Sequence, residues 1–497
     1  MTEHATGADL LGTRKAGVLL HPTCLPGEWG VLGQSARDFL DFLASAGIRV
    51  WQTLPIGPTH ADLSPYQSLS AHAGSPDFVD LSELIPLGLL EQSELAQAAQ
   101  VTGRRPCFEL AAQRFFDQAR DEPENVTYRH YLDYRAANDH WLDDFSLFTA
   151  IRERNPGLNW LEWPTELRDR DTTSLRAFAE NAAPTIQRVC FEQFMFDQQW
   201  QAIRRYAHER DIRMFGDIPI FVAHDSADVW ANRHLFKLDN QGRSTVVAGV
   251  PPDYFSPDGQ HWGNPLFDWD AMSEEGYNWW LQRLDSQRHL FDLIRIDHFR
   301  GLEAYWEIPA QDSNPRYGYW VAGPGRNFLD ACFRAFPELP LVAENLGIIS
   351  EEVEQLRRTF HLPGMTVLQF GFDGNPQNPH LTHNHERNNL VYTGTHDNDT
   401  TLGWYRGLDE HTRHYVNHYL GTSGEHMPWP VIQAAFRSVS WLAIVPMQDL
   451  LGLGSEARFN TPGTIENNWL WKLDWREVPP GLAGSTRELA GLYGRLT

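Results

Sequence analysis

Cysteine is scarce: four in 497 residues (Cys24, Cys107, Cys190, Cys332), widely scattered and with no C-x-x-C pair. A chain of this length buries enough apolar surface to fold without disulfides or metal staples, so nothing requires them and a reducing cytoplasm is the expected compartment. Long hydrophobic runs are also missing. The longest, WLAIVPM at 441–447, is strand-sized, well short of the ~20 residues that cross a bilayer. The N-terminal stretch MTEHATGADLLGTRKAG lacks the basic-then-apolar plan of a signal peptide. Dense Lys/Arg runs are absent, and 65 Asp plus Glu against 41 Lys plus Arg leave a formal net charge of -24. Such a body repels phosphate backbones, which argues against nucleic acid as a general partner, as the missing spans argue against a membrane. Neither a fixed-period repeat nor a low-complexity tract occurs.

Aromatic residues are plentiful: 19 Trp, 15 Tyr and 27 Phe. Most are expected in the core, but many adjoin Gly, Pro, Asp or Asn, where an exposed ring suits the flat apolar face of a sugar. Eight short apolar or β-branched runs recur, each ending in polar residues: 17–20, 48–51, 212–216, 293–296, 341–343, 366–368, 390–392 and 442–445. Runs of this kind read as parallel strands buried on both faces. Helical patterns lie between several of them; 35–46 (SARDFLDFLASA) is amphipathic and stops at Gly47, and another opens at Ser350 as N-cap. Eight such units predict an α/β fold, a (β/α)8 TIM barrel, with chemistry at the strand C-terminal ends. We expect one catalytic barrel over 1–497, interrupted twice. Residues of about 85–200 read as an inserted, mainly helical subdomain. Residues of about 225–290, rich in Gly, Pro, Asp, Trp and Tyr, read as a loop-rich insertion over the barrel mouth.

Three strand ends carry carboxylates: Asp297 in Arg295–Arg300, Glu344 in 342–345, and Asp397 in 395–398. In a closed barrel these ends converge on one mouth. Converging carboxylates suit glycoside chemistry, where an oxocarbenium-like transition state needs an anion on one side and a proton donor on the other. Each acid alone would serve equally well as a helix cap or an Arg partner. Arg295 and Asp297, two residues apart on a strand, share a face, and the guanidinium favours the ionised Asp. That makes Asp297 the better nucleophile and leaves Glu344 as the acid.

The segments R-I-D-H-F-R-G, A-E-N-L-G and T-H-D-N closely resemble those of the 4-α-glucanotransferases, also called amylomaltases or disproportionating enzymes, which form family 77 of the α-amylase superfamily. HPTCLPGEWG, WQTLPIGPT, SPYQSLSAHAG, GDIPIFVAHDSADVW, GVPPDYFSPDGQHWGNPL and MQDLLGLGSEARFNTPGT extend the resemblance over most of the chain. It implies retaining transfer of α-1,4-glucan segments, without metal or cofactor. Donors would be maltooligosaccharides, amylose, or starch- or glycogen-derived glucans, with glucose or a maltooligosaccharide as acceptor. By the same resemblance Asp297 is the nucleophile, Glu344 the general acid and then base, and Asp397 the group that binds donor hydroxyls. Arg295 orients the nucleophile, His396 hydrogen-bonds the donor sugar, and Tyr66 lies beneath that sugar as a platform. Ser64 and Asp217 join the substrate-binding set. Tyr254 and Phe255 match a loop that closes over the mouth, flanked by Gln260 and Trp262. Two departures are Asn345, where Asp is common after the acid, and Ser75, where Asn is frequent. The first strand lies near residue 1, as in the short form without N-terminal carbohydrate-binding domains.

Alternatives remain at this level. An amylase-type α-glucan hydrolase would use the same carboxylates. His396-Asp397 with His380, His383 and His385 would suit a hydrolytic metal. A non-catalytic glucan-binding protein would keep the aromatics but would not need all three acids.

Overall fold

The computed structural model describes residues 13–101, 103–122, 124–252, 258–464 and 466–496. Its central sheet has eight strands: β1 (Lys15–Leu19), β2 (Val50–Gln52), β3 (Arg213–Ile218), β4 (Leu293–Ile296), β5 (Leu341–Ala343), β6 (Gly364–Val367), β7 (Asn389–Tyr392) and β8 (Leu442–Pro446). All neighbours run parallel, in the order β6-β7-β8-β1-β2-β3-β4-β5. Every apolar run of the sequence supplies one strand, shifted by two residues or fewer at every end. Strand side chains are buried almost throughout, as a sheet covered on both faces requires. The result is a (β/α)8 barrel.

One joint differs from the rest. β5 and β6 share no strand ladder; Ala343 N–H donates to Pro363 O at 2.9 Å beside them. The Asn345 side chain spans the gap. Its Oδ1 accepts from Met365 N–H at 2.7 Å, and its Nδ2 donates to Glu354 Oε1 at 2.6 Å on the following helix, Glu351–Thr359. Asn345 is thus a structural clip. Ser75, the other departure, accepts from Asp77 N–H at 3.4 Å and caps the short turn Pro76–Phe78.

The helix Gln34–Ser45 ends as its sequence predicts: Gly47 follows at φ 71°, a conformation glycine adopts without strain. Gly216 in β3 is set by contact instead, since a Cβ there would lie 2.2 Å from the Phe291 ring. Ser350 occupies the N-cap position of its helix with extended backbone, but its side chain makes no cap hydrogen bond.

Between β2 and β3 the chain is mainly helical, with longer helices at Gln92–Val101, Arg104–Asp121, Val126–Ala137, Asp139–Arg154, Thr172–Asn181 and Ala183–His208. The last of these leads back into β3 and buries Phe191, Phe194, Trp200 and Ile203. The segment of 225–290 that composition reads as loop holds more regular structure than that. Strands Val246–Val250 and Gln260–Pro265 and helices Trp269–Glu274 and Asn278–Leu290 lie within it. The two strands join Ala304–Pro309 and Tyr319–Ala322, from beyond β4, in a four-stranded antiparallel sheet. All four cysteines are buried and free. No described helix is long and apolar enough to cross a membrane.

Candidate active site

The polar C-terminal ends of β3, β4, β5 and β7 meet at one end of the barrel. Ladder-like bonds carry on past the strands: Asp297 N–H donates to Ile218 O at 2.9 Å, and Glu344 N–H to Ile296 O at 3.1 Å. The backbone itself therefore sets Asp297 and Glu344 side by side on adjoining strand ends. A cavity of about 480 Å³ opens there, lined by Asp297, Glu344, Asp397, Arg295 and Gln260 among others. That lies within the roughly 300–1,000 Å³ of ordinary ligand sites.

Arg295 organises the floor. Its Nη1 lies 2.6 Å from Asp217 Oδ2 and its Nη2 lies 2.7 Å from Asp297 Oδ1. Burial opposes the guanidinium charge, but the two carboxylates outweigh it and raise the Arg295 pKa further. Asp217 is fully enclosed, and burial pushes its carboxyl up against the pull of Arg295. Tyr66 Oη donates to the same Asp217 oxygen at 2.7 Å. The Tyr66 ring stacks on His396, centroids 5.1 Å apart and planes 18° from parallel.

Glu344 is almost completely buried. Its Oε2 accepts from His298 N–H at 2.7 Å and its Oε1 from Leu346 N–H at 2.8 Å. Burial dominates and lifts its carboxyl to about 7; Arg295 counters this and the Asp297 charge adds to it. His298 donates from a left-handed backbone, φ 52° and ψ 50°, with its ring edge-on to Trp262 at 4.9 Å.

Asp397 behaves oppositely. The confined site pushes its carboxyl up, but His396 at 3.4 Å and Asn460 Nδ2, donating at 2.6 Å, outweigh that and hold it at about 2. His396 itself is raised, because Asp397 outweighs the effect of burial. Arg458 donates to the Asp397 carbonyl at 2.6 Å, tying this turn to the 458–461 segment. Beneath it, buried Asp449 accepts from Thr393 Oγ1, Thr401 N–H and Thr401 Oγ1 at 2.6–2.7 Å, fastening the turn to the end of β8.

The expected substrate-binding residues divide into four groups. Arg295 and Gln260 line the cavity; Gln260 Oε1 also accepts from Trp262 Nε1 at 3.0 Å. Tyr66, Asp217, His396 and Trp262 form the layer behind, while Ser64 lies in the loop after β2, its N–H donating to Asp62 at 3.1 Å. Tyr254 and Phe255 fall outside the described residues. The sequence carries no sign of a role for His298, Leu346 or Asn460, although all three stand inside the motifs of the resemblance. The three histidines of 380–385 are engaged elsewhere: His380 Nδ1 accepts from Val367 N–H, His383 bonds Tyr419 Oη and Pro376 O, and His385 bonds Ser438 and His380 O. Among the described residues no three His, Cys, Asp or Glu side chains form a metal set.

A carboxyl kept protonated near neutrality, beside an aspartate held by a guanidinium in one barrel-mouth cavity, defines an enzyme class that works on glycosidic bonds. The family model for 4-alpha-glucanotransferase matches residues 20–477. The 4-alpha-glucanotransferase of Thermus thermophilus is 45% identical, covering 97% of this chain and 99% of that protein. That of Synechocystis is 42% identical, with 98% and 99% covered. The solved amylomaltase of Streptococcus agalactiae in complex with acarbose superposes with a TM-score of 0.92 at 33% identity, over 97% of this chain and 99% of that one. The chain belongs to the 4-alpha-glucanotransferase family and is an enzyme.

Proposed function

We propose that this enzyme moves segments of α-1,4-glucans between maltooligosaccharides by retaining double displacement. Asp297, steadied by Arg295, attacks the anomeric carbon, while Glu344 protonates the departing glycosidic oxygen. Glu344 then takes a proton from the 4-hydroxyl of the acceptor, which displaces Asp297 and restores the α-linkage. Asp397, ionised throughout, binds donor hydroxyls with His396 and favours the distorted ring. Tyr66 and Asp217 support this sugar from behind, and the Tyr254–Phe255 segment, flanked by Gln260 and Trp262, shields the acceptor from water.

The observation that carries this reading is the contrast between two neighbouring carboxyls on one cavity. Glu344 is raised to about 7, while Asp297 is paired with Arg295 at 2.7 Å. Maltotriose as sole substrate tests it. Transfer yields glucose and a ladder of longer maltooligosaccharides; products that are only shorter than the substrate would identify a hydrolase. A crystal structure supplies a second check, because retention needs the two carboxyls about 5–5.5 Å apart, against roughly 6.5–9.5 Å for inversion.

A further inference from the structure

The rim of the cavity carries a feature that the bond-breaking chemistry does not use. Strands Ala304–Pro309 and Tyr319–Ala322 set Trp306 directly opposite Trp320. Cross-strand partners share a face, and the two indoles meet edge to face at 5.1 Å. Trp306 is locked in turn. Its Nε1 donates to Pro315 O at 2.7 Å, and Gly318 packs so close that a Cβ would stand 2.2 Å from that nitrogen. Trp320 is held from another side, with the Arg300 guanidinium carbon 3.7 Å from its ring centroid. Arg300 also donates to Ile348 O. Trp320 nevertheless remains 40% exposed and Ile348 48% exposed, and both line the cavity that holds Asp297 and Glu344. Tyr319, next to Trp320 on the strand, points the opposite way, with its hydroxyl donating to Glu307 at 2.6 Å.

An exposed apolar ring costs solubility, and bracing it serves no packing need at a rim. A braced ring, however, loses little conformational freedom when a ligand stacks on it. A cavity of about 480 Å³ holds only a short stretch of glucan, so a longer chain must pass over its edge. We propose that Trp320, braced by Trp306 and Arg300, is a stacking platform for a glucose unit of the glucan beyond the reacting sugars. The platform biases the enzyme toward long α-glucans over maltotriose. This inference rests on the glucan-transfer reading above.

The test compares the wild-type chain with Trp320→Leu, which keeps apolar bulk without a flat face, and Trp320→Phe, which keeps a ring. KM is measured for amylose and for maltotriose. Trp320→Leu is expected to raise the ratio of amylose KM to maltotriose KM roughly tenfold, the worth of one aromatic stacking contact, with Trp320→Phe near wild type. An unchanged ratio, or a loss in Trp320→Phe as large as in Trp320→Leu, overturns the platform. So does a wild-type dimer that Trp320→Leu converts to monomer with the ratio intact, which assigns the surface to a second copy through the edge strand Tyr319–Ala322. A wild-type enzyme that makes no ladder from maltotriose overturns the transfer reading itself, a result distinct from any change in the ratio.

Discussion

A guanidinium has two usable edges, and Arg295 gives one to Asp217 and the other to Asp297. A lysine ammonium is a point charge and would not hold both carboxylates in that geometry. Glu344 receives two backbone N–H bonds instead, too little to offset its burial, so it stays protonated up to about pH 7. The pH profile follows from the sign of that shift. In the proposed role of Glu344 the acid form is the active one, so kcat/KM is expected to fall as pH rises through about 7. Asp397, at about 2, stays ionised across that range and adds no limb. Stopped assays on maltotriose across pH check this, and Glu344→Gln should abolish the limb; a limb that persists in that variant assigns the titration elsewhere. The Arg295–Asp297 pairing was legible in the sequence, because two residues on a strand share a face. The His298 donor was not, because a backbone N–H turned by a left-handed residue leaves no side-chain signature. Nor was Asn460, which meets Asp397 across 63 residues of chain.

Elements were legible in proportion to how completely they are buried. The eight barrel strands are covered on both faces, so each stands out as an apolar run. The four-stranded antiparallel sheet is half exposed, interrupted by Gly and Pro, and assembled from segments on either side of β4, so composition alone reads it as loop. The clip between β5 and β6 makes its own prediction. Asn345 donates to Glu354 at 2.6 Å, and Asn345→Asp would replace that donor with a second carboxylate. The expected loss is about 1–3 kcal/mol, from a broken hydrogen bond and a like-charge contact. Thermal unfolding at pH 7 and again near pH 4 checks it. The deficit should shrink at the lower pH as the added acid protonates, and a stability equal to wild type at pH 7 would discount the clip.

The whole molecule carries a formal net charge of -24, yet its proposed substrates are neutral. Coulombic steering then has nothing to act on, and the ion pairs of the floor are enclosed. The kcat/KM for maltotriose is expected to change less than about twofold as ionic strength rises tenfold, in contrast to enzymes of charged substrates. A steep salt dependence, measured in initial rates, would point to an anionic or cationic natural substrate. The cylinder is also unequal around its circumference. Asp297 follows β4, which is laddered to a neighbour on each side, whereas Glu344 follows β5, whose far side meets β6 through isolated bonds and one asparagine. Local opening begins where the bonds are fewest. Mild heating is therefore expected to disarm before it unfolds, with Glu344 drifting out of line while Asp297 keeps its place.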